Sequence, residues 1–142
     1  MSAYPDLLQL THRFYYCLDE FRYQDLAALM REDGIWHRQG KVLKGRAQVI
    51  AALEERPRTQ RIRHVITNAF LSEESESAAT LVAYLTAYKY DDGKPTKGAP
   101  TIDGPFRLLL VNKKFTRAGG RSTAGWMIAE SAGTPEFEFR GR

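Results

Sequence analysis

The stretch RIRHVITNAF, residues 61–70, places a histidine where a β-strand is expected to be apolar. With the period of two that strands follow, one side carries Ile62, His64, Ile66, Asn68 and Phe70. The chain has only three histidines, and this one lies between two isoleucines on the predicted buried side. An imidazole in that position is a candidate functional group.

Three further strands are predicted after this one. The β-branched, aromatic and aliphatic residues of this half of the chain favour strands at 62–71, 78–90, 105–116 and 125–131. Polar or glycine- and proline-rich segments join them: SEESES, DDGKPTKGAPTIDGP and RAGGRSTAG. The tail GTPEFEFRGR, residues 133–142, either extends as an edge segment or stays loose.

The first part of the chain is predicted to be mainly helical. Residues 6–31 carry apolar side chains at helical spacing, beginning with DLLQLTHRFYYCLDEF and continuing into a short second helix, YQDLAALMRE, which Asp33 and Gly34 end. The segment IWHRQGKVLKG, residues 35–45, favours a hairpin or a strand and turn. A third helix, RAQVIAALEER, is stopped by Pro57.

Helices followed by long strands predict a single α+β domain over residues 1–142, with the helices packed on one face of an antiparallel sheet. Long strands twist and curl, so such a sheet can enclose a pocket lined from several strands.

Composition narrows the class of protein. The chain has 142 residues with 43% hydrophobic content and one cysteine, Cys17, so its stability must come from packing and not from an internal disulfide. No apolar stretch approaches the ~20 residues that span a bilayer, and no signal peptide is visible, so we expect a cytoplasmic protein without a membrane partner.

The net charge of +4 comes largely from three basic groups: Arg56, Arg58, Arg61 and Arg63; Lys113, Lys114, Arg117 and Arg121; and Arg140 and Arg142. We interpret them as solvated loop and strand-end charges. No nucleic-acid motif with interleaved aromatic residues accompanies them, so a nucleic-acid partner is not expected.

Asp19 is the predicted partner of His64. It falls on the edge of the apolar stripe that contains Phe14, Tyr15 and Leu18, where a carboxylate is costly unless it is paired. An Asp–His pair fixes the imidazole tautomer and leaves the other ring nitrogen free to move a proton. Alternatively, His64 bonds to a backbone carbonyl and Asp19 faces solvent at the helix end.

Other polar residues are weaker candidates. His37 follows Trp36 on the first strand and either faces the pocket, as a proton carrier or hydrogen-bond donor, or lies on the surface. Asn68 either bonds a substrate oxygen or satisfies the backbone at a bend of the sheet. The histidine spacing predicts no metal site, and no nucleotide-binding or serine hydrolase motif is present.

Three segments resemble the SnoaL-like branch of the nuclear transport factor 2-like superfamily: YYCLDEFRYQDLAALMREDGIWH, LKGRAQVIAAL and RIRHVITNAF. This branch is similar to scytalone dehydratase, bile acid dehydratases and the small subunits of ring-hydroxylating dioxygenases. The resemblance implies a cone-shaped curved antiparallel sheet packed by N-terminal helices, a cystatin-like α+β barrel. It also implies proton transfer by an aspartate and a histidine at the positions of Asp19 and His64.

The resemblance further implies tyrosines around the pocket, for which Tyr15, Tyr84 and Tyr88 are candidates together with Trp36. The leading hypothesis is a lyase or isomerase without a cofactor, acting on a small, apolar, cyclic molecule. The alternative is a binding or assembly module that resembles a dioxygenase small subunit.

A homo-oligomer, dimer or trimer, is expected because Leu81, Leu85 and Leu109 are assigned to the outer face of the sheet.

Overall fold

The computed structural model describes residues 1–117 and 125–140. Three helices and six strands follow one another in this order: α1 (Tyr4–Asp19), α2 (Tyr23–Ala28), β1 (Met30–Arg38), β2 (Lys41–Lys44), α3 (Arg46–Glu54), β3 (Arg61–Glu74), β4 (Ala78–Tyr90), β5 (Arg107–Arg117) and β6 (Trp126–Glu138). The predicted α+β class is confirmed.

Helix α1 buries one face and ends where the site begins. Leu7, Phe14 and Leu18 recur at helical spacing and are all buried, which supplies the apolar stripe that holds the helix on the sheet. Two residues after Asp19, Phe21 has a φ of 59°, a left-handed conformation that cannot continue an α-helix. The last residue of α1 is therefore fixed against the start of β3.

The six strands form one sheet in the order β2-β1-β6-β5-β4-β3. Every pair is antiparallel except β1 and β6, which run parallel, so the predicted antiparallel sheet is right for four of its five pairings. Register shifts mark bulges in β1, β3 and β6, and such bulges bend the strands that contain them. The sheet consequently curves around the helices.

Alternation along β4 and β5 defines the inner face of the sheet. On β4 the buried residues are Ala79, Leu81, Ala83, Leu85 and Ala87, and on β5 they are Val111, Lys113 and Phe115. The expected outward placement of Leu81, Leu85 and Leu109 is therefore wrong: the first two are buried and Leu109 packs against the core. These leucines therefore do not supply an exposed apolar surface for an oligomer.

Gly34 has a different role from the one predicted. Helix α2 ends at Ala28, and Gly34 lies inside β1, at the bulge where that strand pairs with β6. A Cβ there would lie 3.0 Å from the carbonyl oxygen of Arg31 and 3.2 Å from that of Ile128. Glycine is required for this close approach of two backbones, not for ending a helix.

A bulge at Asn68 reverses the faces of β3 part-way along the strand. Asn68 has a φ of 56°, and the pairing with β4 shifts between Thr67 and Phe70. Ile62 therefore faces inward as predicted, whereas Phe70 is exposed on the outside and Leu71 packs against the core. A constant period of two cannot predict this exchange because the extra residue of the bulge changes the phase.

Candidate active site

A cavity of about 230 Å³ lies between α1 and the inner face of the sheet. Its apolar walls include Leu18, Ile62, Leu85, Phe106, Leu109 and Val111, which come from the helix, the sheet and the loop before β5. For scale, a cavity of ~150 Å³ is enough to hold benzene. The space thus suits a molecule of one or two small rings.

Asp19 and His64 form a hydrogen-bonded pair, of which His64 lines the cavity and Asp19 lies behind it. The Nδ1 of His64 lies 2.5 Å from Oδ1 of Asp19, and the backbone N–H of His64 donates to Oδ2 at 2.9 Å. The side chains are only 7% exposed for Asp19 and 13% for His64. Since an ionised carboxylate only accepts hydrogen bonds, the arrangement places a proton on Nδ1 and leaves Nε2 as the acceptor.

Tyr15 lies one helical turn before Asp19 and beside His64. The two rings are 5.4 Å apart between centroids, and Tyr15 lines the same cavity. Burial raises the pKa of its phenol well above the usual value, and a side-chain hydrogen bond with Ser131 only partly offsets this effect. The hydroxyl therefore stays protonated and is available as a hydrogen-bond donor.

Ser131 connects Tyr15 to a buried lysine. The Nζ of Lys113 donates to Oγ of Ser131 at 2.6 Å, across the β5–β6 pair in which these residues lie directly opposite each other. The same nitrogen lies 3.8 Å from the ring centroid of Phe14 and 4.5 Å from that of Tyr15. Two aromatic rings and one hydroxyl thus surround the amine.

Lys113 has no exposed surface, which corrects its assignment to a solvated basic group. Burial lowers the pKa of its amine well below the usual value, because the charged form loses hydration. Among the described residues no carboxylate forms an ion pair with it. Arg56, assigned to another solvated group, is also buried and donates to the carbonyl of Leu18 and the hydroxyl of Tyr23.

The structure places Trp36 and His37 differently around the cavity. Trp36 is buried, contacts Phe14 edge to face at 5.0 Å, and lines the cavity. His37 lies at the rim, where its Nε2 is 2.6 Å from the carboxylate of Glu130. This hydrogen bond is the main reason that the pKa of Glu130 is lowered. His37 thus lines the cavity, one of its two predicted placements, while its Nε2 is held by Glu130.

Tyr84, Tyr88 and Asn68 do not line the cavity, contrary to the expectation. The tyrosines alternate with the buried residues Ala83, Leu85 and Ala87 of β4, and so they lie on the outer face of the sheet. Asn68 is exposed at the bulge of β3, which agrees with the alternative that it accommodates a bend of the sheet.

Sequence reasoning missed Lys113 and Ser131. Lys113 shares a period-two face with Val111 and Phe115, so the pattern contained a signal that it is buried. The face of Ser131 was not readable, because a bulge between the pairs Glu130–Lys114 and Ile128–Phe115 changes the phase of β6.

Within 1–117 and 125–140, no group of three His, Cys, Asp or Glu side chains is arranged to hold a metal ion. Across that same part of the chain, every helix is too short or too polar to cross a membrane.

A sequence model of the SnoaL-like domain family matches residues 1–132. No curated protein sequence is significantly similar to the chain.

Solved structures share the fold. The hexachlorocyclohexane dehydrochlorinase LinA-type3 from Novosphingobium barchaimii LL02 has a TM-score of 0.74 at 14% identity, with 94% of this chain and 86% of that chain covered. An NTF2-like protein with a cystatin-like fold from Novosphingobium aromaticivorans has a TM-score of 0.67 at 21% identity, covering 89% and 77%. A protein from Catenulispora acidiphila in complex with S-DNPA has a TM-score of 0.69 at 20% identity, covering 93% and 92%. At these identities the likeness establishes the cystatin-like fold.

Proposed function

The chain belongs to the SnoaL-like domain family, and on this premise we propose that it is a lyase or isomerase that moves protons with Asp19 and His64 and needs no cofactor. One observation carries the proposal: the carboxylate holds Nδ1 of His64 at 2.5 Å while the imidazole borders a largely apolar cavity. A general base oriented in this way contributes about 10²–10⁴-fold to a rate.

The first step is removal of a proton from a carbon next to a carbonyl group. Nε2 of His64 takes that proton, the electron pair of the C–H bond forms an enolate, and Asp19 stabilises the resulting imidazolium. The Tyr15 hydroxyl, kept protonated by burial, donates a hydrogen bond to the enolate oxygen. Ser131 and Lys113 hold that hydroxyl in place from behind.

The second step returns the proton. In a dehydration, the imidazolium gives its proton to the β-hydroxyl group, the C–O bond breaks, and water leaves as the enolate collapses to an enone. In an isomerisation, the same proton goes to another carbon of the dienolate. Neither route changes the oxidation state of the whole molecule. The dehydrochlorinase named above is an elimination catalyst on the same fold, which favours the first route.

The experiment uses a panel of cyclic β-hydroxy ketones, starting with 3-hydroxycyclohexanone, in D₂O. Formation of the enone is followed by ultraviolet absorbance, and deuterium incorporation next to the carbonyl is followed by NMR. We expect His64→Gln and Asp19→Asn each to slow both reactions by about 10²–10⁴-fold without unfolding the protein.

The matched control is His12→Gln, which alters an exposed histidine on α1 and should leave both rates unchanged. Wild-type rates in either site variant would contradict the proposal. Binding of the panel without any exchange above the buffer rate would favour the alternative, a ligand-binding module.

A further inference from the structure

Three arginines line one end of the cavity. Arg38 ends β1, Arg56 follows α3 and Arg107 begins β5, and all three also line the second hollow that adjoins the cavity. Among the described residues that line the cavity, none is an aspartate or a glutamate. Positive charge is therefore concentrated where the cavity adjoins the second hollow.

The protein itself leaves part of this charge unmatched. Arg56 is satisfied by uncharged oxygens, those of Leu18 and Tyr23. Arg38 lies over the ring of Trp36 at 5.6 Å and forms no ion pair or hydrogen bond with a described residue. Among the described residues, Arg107 forms one ion pair, with Glu138 at 3.3 Å.

Glu138 compensates the charge of Arg107 only weakly. The side chain of Glu138 is 67% exposed, and water screens such a pair. The Nε of Arg107 is buried and has no acceptor among the described residues. A buried donor without a partner costs free energy, which a ligand oxygen would recover.

Two of the positive charges, those of Arg38 and Arg56, oppose each other. Burial, and then the charge of Arg56, lower the pKa of Arg38, because both disfavour its protonated form. An anion at this position would remove the repulsion and supply acceptors to the unpaired donors. Guanidinium groups bind the two oxygens of a carboxylate with parallel hydrogen bonds.

We propose that the substrate carries a carboxylate, held by Arg38 and Arg107 where the cavity adjoins the second hollow, and that its ring lies along the apolar walls towards His64. Phe106 and Leu109 line the cavity beside Arg107 and provide those walls. Arg56 adds positive potential but stays committed to Leu18 and Tyr23. The orientation of this substrate rests on the proposed function: its carboxylate lies near the arginines and its reacting carbon lies near His64.

The test separates binding from chemistry. The dissociation constants of 2-naphthoate and 2-naphthamide, which differ in charge and offer no acidic C–H bond next to a carbonyl group, are measured by NMR titration of the full chain. We expect naphthoate to bind at least tenfold more tightly than naphthamide. The ratio should fall towards one in Arg38→Gln and in Arg107→Gln, and the preference should weaken with added salt.

Two controls keep the outcome specific. Arg22→Gln removes the same charge from an exposed arginine that pairs with Asp25, and it should leave the ratio unchanged. His64→Gln should also keep the ratio while it abolishes the exchange reaction, so a failure of the catalytic proposal would not affect this result. Naphthoate binding no tighter than naphthamide, or a ratio insensitive to both arginine variants, would overturn the inference.

Discussion

Two polar pairs each contribute one residue to the cavity wall, His64 and Ser131, and the protein compensates the pairs in opposite ways. On the α1–β3 side, the His64 imidazole is matched by the carboxylate of Asp19 at 2.5 Å. On the β5–β6 side, Lys113 meets only a hydroxyl and two aromatic rings, and burial lowers the pKa of its amine. A buried ionisable group is thus tolerated either through a partner of opposite charge or through loss of its own charge.

The comparison predicts opposite responses when one member of each pair is removed. Asp19→Ala leaves both the Nδ1–H and the backbone N–H of His64 without an acceptor, and we expect the free energy of unfolding to fall by about 2–4 kcal/mol. Asp19→Asn keeps an oxygen for the backbone N–H and should cost less than half as much. Urea denaturation at constant pH measures both. An Asp19→Ala variant as stable as the wild type would show that the pair does not contribute to stability.

Lys113→Met should instead stabilise the protein, by up to about 3 kcal/mol at pH 7, because it replaces a buried amine with an apolar side chain of similar length. The gain should depend on pH. Below about 10.5 the unfolded chain protonates Lys113, while the folded chain keeps the amine neutral down to its lowered pKa. In that window the unfolded state binds more protons, so the stability of the wild type rises with pH by up to about 1.4 kcal/mol per unit.

The advantage of Lys113→Met should therefore shrink between pH 7 and pH 10 in urea titrations at each pH. Lys114→Met is the matched control, since Lys114 is the exposed neighbour on the same strand. Identical pH slopes for the wild type and Lys113→Met would mean that the amine is charged in the folded protein.

The smallest expected effect concerns the bulge of β3. It tests whether the bulge influences the Asp19–His64 pair. Asn68 has a φ of 56°, so Asn68→Gly should change the free energy of unfolding by less than about 0.5 kcal/mol and Asn68→Ala should lower it by about 1 kcal/mol. NMR of the His64 ring nitrogens should show the same tautomer in both variants. A change of tautomer would mean that the bulge positions the histidine.

The sequence predicted the structure correctly where local periodicity agrees with the burial of the residues in the folded protein. The stripe of Phe14 and Leu18 predicted α1, and the isoleucines around His64 predicted an imidazole at the inner face. The hydrogen bond between Asp19 and His64 joins positions that are far apart in the chain. Periodicity suggested the pairing but left open a backbone partner for His64 and solvent exposure for Asp19, and the family resemblance favoured the pair.

The remaining features of the fold and the site depend on tertiary geometry that local sequence periodicity does not predict. Bulges in β3 and β6 exchange the faces of Phe70 and Ser131, and neither bulge follows from a period of two. The three arginines that line the cavity come from separate parts of the chain, so their proximity depends on the order of the sheet and on the position of α3.

The parallel pairing of β1 with β6 has a consequence for how the molecule is made. Trp36 lies beside Ser131, so the wall that contains both needs an early and a late segment of the same chain. A ribosome must release β6 before this hollow can close, and contacts between such distant segments slow folding. Nascent chains that lack β6 should therefore be incompletely folded and expose apolar surface that chaperones bind.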